Sequence, residues 1–202
     1  MKGLSETVSY VNERMEELET KRELAVASSR MIIRKTKRVI HSIHMNEDHV
    51  DALMELGRNM EKLNSDLRND PEIFYSGVVE DARMEYAEAS LLSAVVLEKA
   101  IPSFDTLRIT PQSWIMGLAD CIGEMRRMVL SRLMTDDLEG AMYMFSEMED
   151  ASNELLMFDV PDAILPLRRK QDIVRGIMER TRADVTNAIL MKEYRKKHSN
   201  IE

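Results

Sequence analysis

The chain is 202 residues long, enough for one well-cored domain, with 44% hydrophobic residues but only 5% aromatics and few Gly (7) or Pro (5). That mixture favours helices over sheet. A lone cysteine, Cys121, excludes an internal disulfide and any cysteine-based zinc site, and no apolar run approaches the ~20 residues of a membrane span. Net charge is −8, and the acidic start (Glu6, Glu13, Glu16, Glu17, Glu19) is unlike a signal or transit peptide, so a cytoplasmic protein without a membrane partner is expected.

The pattern predicts six or seven long helices and no strand. The first runs from about residue 6 to 44, with a break allowed, and its second half carries the apolar stripe Ile32, Ile33, Val39, Ile40 and Ile43. Arg30, Arg34, Lys37, Arg38 and His41 recur at i, i+4, i+7, i+8 and i+11, which puts them on one face, roughly opposite that stripe. Residues 21–44 hold seven Lys/Arg against one acid, so this face is a candidate phosphate-binding surface. The plain alternative is a solvated helix face, which most charge runs are.

A second helix spans about residues 47–69 and is stopped by Asn69-Asp70-Pro71. A third covers about 76–99, and 100–110 reads as an extended loop. Thr110-Pro111 signals an N-cap followed by proline at the first helical position, opening a helix to about residue 133. Thr135, with Glu139 in the first turn, is expected to cap the next, which ends near residue 157. After Pro161 and Pro166 a last helix runs from about 166 to 197. On it Arg168, Asp172, Arg175, Glu179 and Arg182 alternate in sign as a self-paired ladder. Residues 1–20 form an acidic N-terminal segment and 192–202 a tail expected to be disordered. The whole reads as a single all-α domain, a bundle of long antiparallel helices.

Four acids stand out against this pattern. Glu85 and Glu88 are three apart and Asp120 and Glu124 four apart, so each pair shares a helical face. Glu88 falls within the stripe of Met84, Leu91, Leu92 and Val95, and Asp120 sits among Ile115, Met116, Leu118, Cys121 and Ile122. A carboxylate on a core face costs several kcal/mol unless it is paired, protonated or bound to a cation. One remedy is a salt bridge, for which Arg83, Arg126 and Arg127 are at hand. The other is Mg²⁺ or Mn²⁺, which four acids could hold for phosphodiester cleavage. A di-iron bundle needs Glu-x-x-His from two helices, and neither pair supplies the histidine.

The stretch Leu107-Arg108-Ile109-Thr110-Pro111, followed by Gly117-Leu118-Ala119-Asp120-Cys121-Ile122-Gly123-Glu124-Met125-Arg126-Arg127-Met128, closely resembles the signature of the factor-X (Trax) type in the translin family. The segment from Ser29 through Lys37-Arg38 to His44 resembles that family's N-terminal helix, and Glu85-Tyr86-Ala87-Glu88-Ala89 its middle-helix glutamates. The resemblance implies a translin-like helical subunit, in an archaeal-style single-subunit version. Such a subunit self-associates into a closed shell of roughly six to eight copies around single-stranded or short duplex RNA, with single-stranded DNA as a further ligand. It also implies a Mg²⁺-dependent endoribonuclease site on Glu85, Glu88, Asp120 and Glu124. The chain departs from translin at Val79-Glu80-Asp81-Ala82-Arg83, where translin has a His- and Arg-rich patch. A non-catalytic nucleic-acid-binding shell is the rival reading, and a helical scaffold with salt-bridged acids the third.

Overall fold

In the computed structural model, which describes residues 1–198, eight helices and no strand occur among the described residues. They are α1 (Leu4–His44), α2 (Val50–Leu67), α3 (Pro71–Phe74), α4 (Gly77–Val96), α5 (Phe104–Leu107), α6 (Pro111–Met134), α7 (Leu138–Leu156) and α8 (Arg168–His198). The six long ones match the expected spans, and α1 runs unbroken for 41 residues. The loop expected over 100–110 contains the single turn α5. Ser103 caps it by accepting from the Thr106 N–H at 3.1 Å, a local bond that spacing alone does not reveal.

Boundaries follow from capping chemistry. Asn46 takes φ 55° just past the end of α1, the left-handed conformation that asparagine tolerates better than most residues. Thr110 caps α6 as expected, its Oγ1 accepting from the Ser113 N–H at 3.2 Å. Thr135 does not cap α7. Its hydroxyl donates back to the carbonyls of Ser131 and Arg132, and Asp137 takes the cap by accepting from the Gly140 N–H at 2.9 Å. A carboxylate adjacent to the helix start reaches the free N–H groups and also complements the helix dipole.

Contacts gather the chain into two compact units, residues 1–90 with 103–113, and residues 91–102 with 114 onward. In the first, α1 packs on α2. Its face is Ala25, Ser29, Ile32, Thr36, Val39, Ile40 and Ile43, a three- and four-residue rhythm close to a coiled-coil seam. Ile33, expected in the stripe, is only half-buried, because the small Ala25, Ser29 and Thr36 take the contact instead. The facing residues of α2 are Leu56, Met60, Leu63 and Leu67, each at most 1% exposed. In the second unit α7 packs on α8, with Met144, Met148 and Leu155 buried on one helix and Val174, Met178 and Val185 on the other. Gln171 ties this pair at its end, donating to the carbonyls of Leu155 (3.1 Å) and Phe158 (2.8 Å). The methionines fill these seams as flexible core side chains.

The C-terminal charge ladder forms only in part. Asp172 and Arg175 pair at 2.6 Å, while Arg182 reaches across to Glu149 on α7 and Arg168 to Asp162. Cross-helix partners compete with i, i+3 neighbours because long side chains on packed helices lie equally close. The tail expected from 192 onward continues α8 to His198, and residues 199–202 lie outside the described residues.

Candidate functional site

The basic stripe is where periodicity places it. Arg30, Arg34, Lys37, Arg38 and His41 are all exposed, while Ile32, Thr36, Val39 and Ile40 between them are buried. The uninterrupted helix forces this arrangement, since each basic residue is three or four positions from the next. Lys35, between the two faces, pairs with Glu55 of α2 at 2.5 Å. That pair holds the Glu55 carboxyl below its usual range. The cations of the stripe itself stay on the solvent side.

All four acids are half-buried rather than fully buried. The interior costs expected for core carboxylates are therefore reduced by retained access to water. Glu85 and Glu88 lie on α4 in the first unit, Asp120 and Glu124 on α6 in the second. Within each continuous helix the two carboxylates share a face, as their spacing requires. Asp120 accepts a hydrogen bond from Lys170 at the start of α8, and the two side chains are 31% and 23% exposed. Glu124 lies 3.7 Å from Arg127. Of the arginines expected near these acids, Arg127 is therefore a neighbour, whereas Arg126 pairs with Asp184 at 3.0 Å and Arg83 with Glu80 at 2.5 Å. Lys170 was not legible in the sequence. It lies 50 positions from Asp120, and only the packing of α8 brings it there.

Among the described residues no three His, Cys, Asp or Glu side chains form a metal-binding group. Each acidic pair by itself is two oxygen-donor residues on one helical face with water access. That donor set fits Mg²⁺, which takes one or two carboxylates and completes its shell with water and substrate phosphate.

A second polar centre, absent from the sequence reading, surrounds Arg83. Its side chain is 1% exposed. The guanidinium donates to Asn64 Oδ1 twice, through Nε at 3.2 Å and a terminal nitrogen at 2.7 Å, to the Phe74 carbonyl at 3.0 Å, and to Glu80. It also lies over the Phe74 ring, 4.1 Å from the centroid. Burial pulls its pKa below the usual arginine value, and the Glu80 carboxylate opposes that. The other Glu80 oxygen accepts from Thr110 and Ser113, at 2.5 Å each, which fastens the first turn of α6.

Comparison with known proteins settles the fold's ancestry. The chain superposes on the crystal structure of the archaeal AfC3PO with a TM-score of 0.85 and 30% identity, covering 92% of this chain and 98% of that one. The chain belongs to the translin family. The structure of AfC3PO in complex with duplex RNA matches similarly, with a TM-score of 0.84, 29% identity, and coverage of 92% and 97%. Apo-NeC3PO, at 22% identity and a TM-score of 0.81 over 90% of the chain, shares the fold. An uncharacterised protein of Methanocaldococcus jannaschii is 38% identical over 172 residues, 83% of this chain and 76% of its own length. The chain matches no protein-family model. Within Val79–Arg83, Val79, Ala82 and Arg83 are buried, Asp81 is exposed, and Glu80 accepts from Thr110 and Ser113 at the start of α6.

Proposed function

We propose that this chain is an RNA-binding subunit of a self-associating shell and that it cleaves RNA with the help of Mg²⁺. The observation that carries the RNA reading is its likeness, at 29% identity over 97% of the other chain, to AfC3PO in complex with duplex RNA. The exposed stripe Arg30, Arg34, Lys37, Arg38 and His41 supports it, because cations gathered on one helix face attract a phosphate backbone. Exposed apolar side chains support assembly. Leu4, Val8, Val11 and Met15 lie at i, i+4, i+7 and i+11 on the free end of α1, each 47–59% exposed. Such a stripe marks a surface that a second helix covers.

For the chemistry, each acidic pair taken by itself, Glu85 with Glu88 on α4 and Asp120 with Glu124 on α6, would hold Mg²⁺ through two carboxylates. A Mg²⁺ ion held there would supply Lewis-acid activation of a water and charge neutralisation at the scissile phosphate. Within each helix the fixed spacing of its two carboxylates would orient a bound ion. Lys170 neutralises Asp120 when no metal is present, so that the aspartate is not left as an unpaired charge. The basic stripe holds the RNA backbone.

Incubating the purified protein with labelled single-stranded and short duplex RNA, with Mg²⁺ or with EDTA, tests this reading, with light scattering as a second readout. Cleavage only with Mg²⁺ from a particle of several subunits is expected. Retention of RNA without cleavage leaves the non-catalytic shell, and neither binding nor cleavage removes the RNA reading.

A further inference from the structure

The first unit contains an open groove of about 730 Å³ that neither the acids nor the basic stripe line. One wall is the solvent face of α2, where Arg58, Glu61, Lys62 and Ser65 recur at helical spacing. The other is the turn of α3, which presents Phe74 and Tyr75. Arg68 and Arg108 close its rim.

Three features of this groove select a ligand. The first is charge. Four cations (Arg58, Lys62, Arg68, Arg108) face two acids (Glu61, Asp66), and one of those acids, Glu61, is already paired with Arg108. The balance is positive in a protein whose total charge is negative. The second is an available aromatic face. Tyr75 is 64% exposed and meets Phe74 edge-on, with centroids 4.9 Å apart and planes at 77°. At that exposure much of the tyrosine ring is open to solvent, as a stacking platform requires.

The third is rigidity. Arg83, buried beneath the groove, holds the Phe74 carbonyl and ring and both hydrogen-bonds to Asn64 Oδ1. The Asn64 amide in turn donates to the Arg108 carbonyl at 2.7 Å. Arg108 takes φ 54°, a left-handed conformation that disfavours residues with a Cβ. That conformation is the C-cap of α5, and the Asn64 bond to its carbonyl fixes this cap against α2. One buried guanidinium therefore sets both walls before any ligand arrives.

We infer that this groove binds a single nucleotide, its base stacked on Tyr75 and its phosphate between Arg58, Lys62 and Arg68. Its volume lies within the range of small-ligand sites, roughly 300–1,000 Å³, and is far too small for a duplex. Arginine forks suit phosphate oxygens, and a ring face accepts any base, so the site reads nucleotide chemistry rather than sequence. The occupant is an unpaired nucleotide of RNA, a claim that rests on the RNA-binding reading above. A free nucleoside monophosphate presents the same chemistry.

The test uses the full-length protein, single-stranded RNA carrying 4-thiouridine, and uridine monophosphate. Irradiation of the wild type should crosslink RNA to Tyr75, identified by mass spectrometry of the digested protein. By fluorescence anisotropy, Tyr75→Ala should weaken RNA binding five-fold or more, and Tyr75→Phe should restore it, because the ring face and not the hydroxyl is required. Arg58→Ala with Lys62→Ala should weaken binding and reduce the slope of log affinity against log salt by about 0.7, the change for one phosphate contact on a single strand. All these side chains are exposed, so unchanged melting temperatures confirm that the variants fold. If the wild type binds RNA while every groove variant keeps its affinity and slope and no crosslink reaches Tyr75, the inference is overturned and the RNA reading stands. If the wild type binds no RNA but binds uridine monophosphate in a Tyr75-dependent way, the RNA reading fails and the groove is a free-nucleotide site. Binding of neither overturns both.

Discussion

Arg83 and Asn64, nineteen residues apart on α4 and α2, are joined by two hydrogen bonds of 3.2 and 2.7 Å to one amide oxygen. This contact links α2, the α3 turn and Arg108, so it sets the geometry of the groove as well as the packing of its unit. Removing the guanidinium leaves the Asn64 oxygen and the Phe74 carbonyl without their donor. Arg83→Met should therefore destabilise the protein by about 2–4 kcal/mol, with an unchanged denaturant slope. Arg83→Lys should recover only part of this, since an ammonium cannot span the same partners. Urea unfolding followed by circular dichroism provides the measurement, and wild-type midpoints in both variants would contradict the role given to Arg83.

Gly57 and Tyr86 form a second coupled pair. A Cβ added at Gly57 would lie 2.9 Å from the Tyr86 hydroxyl, and Tyr86 is 8% exposed with little room to retreat. Gly57→Ala alone should destabilise by about 1–2 kcal/mol, from overpacking that exceeds the helical preference for alanine. With Tyr86→Phe in place the clash is gone, and the same substitution should stabilise by about 1 kcal/mol. A double-mutant cycle of thermal melts reads the sign change.

Asp120→Asn should abolish Mg²⁺-dependent RNA cleavage and change stability by no more than about 1 kcal/mol, because its bond with Lys170 is partly exposed. Lys170→Met should lower the Mg²⁺ concentration needed for half-maximal cleavage, since the internal cation no longer competes for the carboxylate. Full cleavage by a folded Asp120→Asn variant would remove the aspartate from the metal site.

Replacing Arg34 and Lys37 together with Ala should weaken RNA binding and flatten its salt dependence by about two in slope. Anisotropy titrations between 50 and 200 mM salt, roughly the range over which phosphate contacts are read, discriminate this from a stripe that is merely solvated. In that case affinity and slope both stay at wild-type values.

The Lys35–Glu55 pair makes a pH prediction. Lys35 holds the Glu55 carboxyl below its ordinary value of 4.5. A depressed folded pKa contributes stability that is present above the unfolded pKa and is lost as pH falls through the folded one. Lys35→Met should therefore move the Glu55 midpoint upward toward its ordinary value, followed by carboxyl chemical shift in an NMR titration. The acid limb of the stability curve should flatten with it. An unmoved midpoint would show that the pair does not persist in solution.

Helical spacing alone determined which residues share a face. The α1 stripe, the two acidic pairs and the Thr110 cap could all be read from the chain, because each depends on neighbours within one turn or a few, where a helix leaves little freedom. Even there the reading overreached at Thr135, where Asp137 two positions on competes for the same N–H groups and a carboxylate wins. Only the tertiary structure decided who pairs across helices. Lys170 reaches Asp120, Arg126 leaves the acids for Asp184, and Arg83 turns inward to Asn64. Those choices depend on how separate helices pack, and long side chains with several partners in reach carry no periodic signal of which one they will take. The groove beside Tyr75 was illegible for the same reason. Its cations lie on α2 and beyond, its rings on α3, and the buried guanidinium that orders them on α4, so no window of sequence contains it.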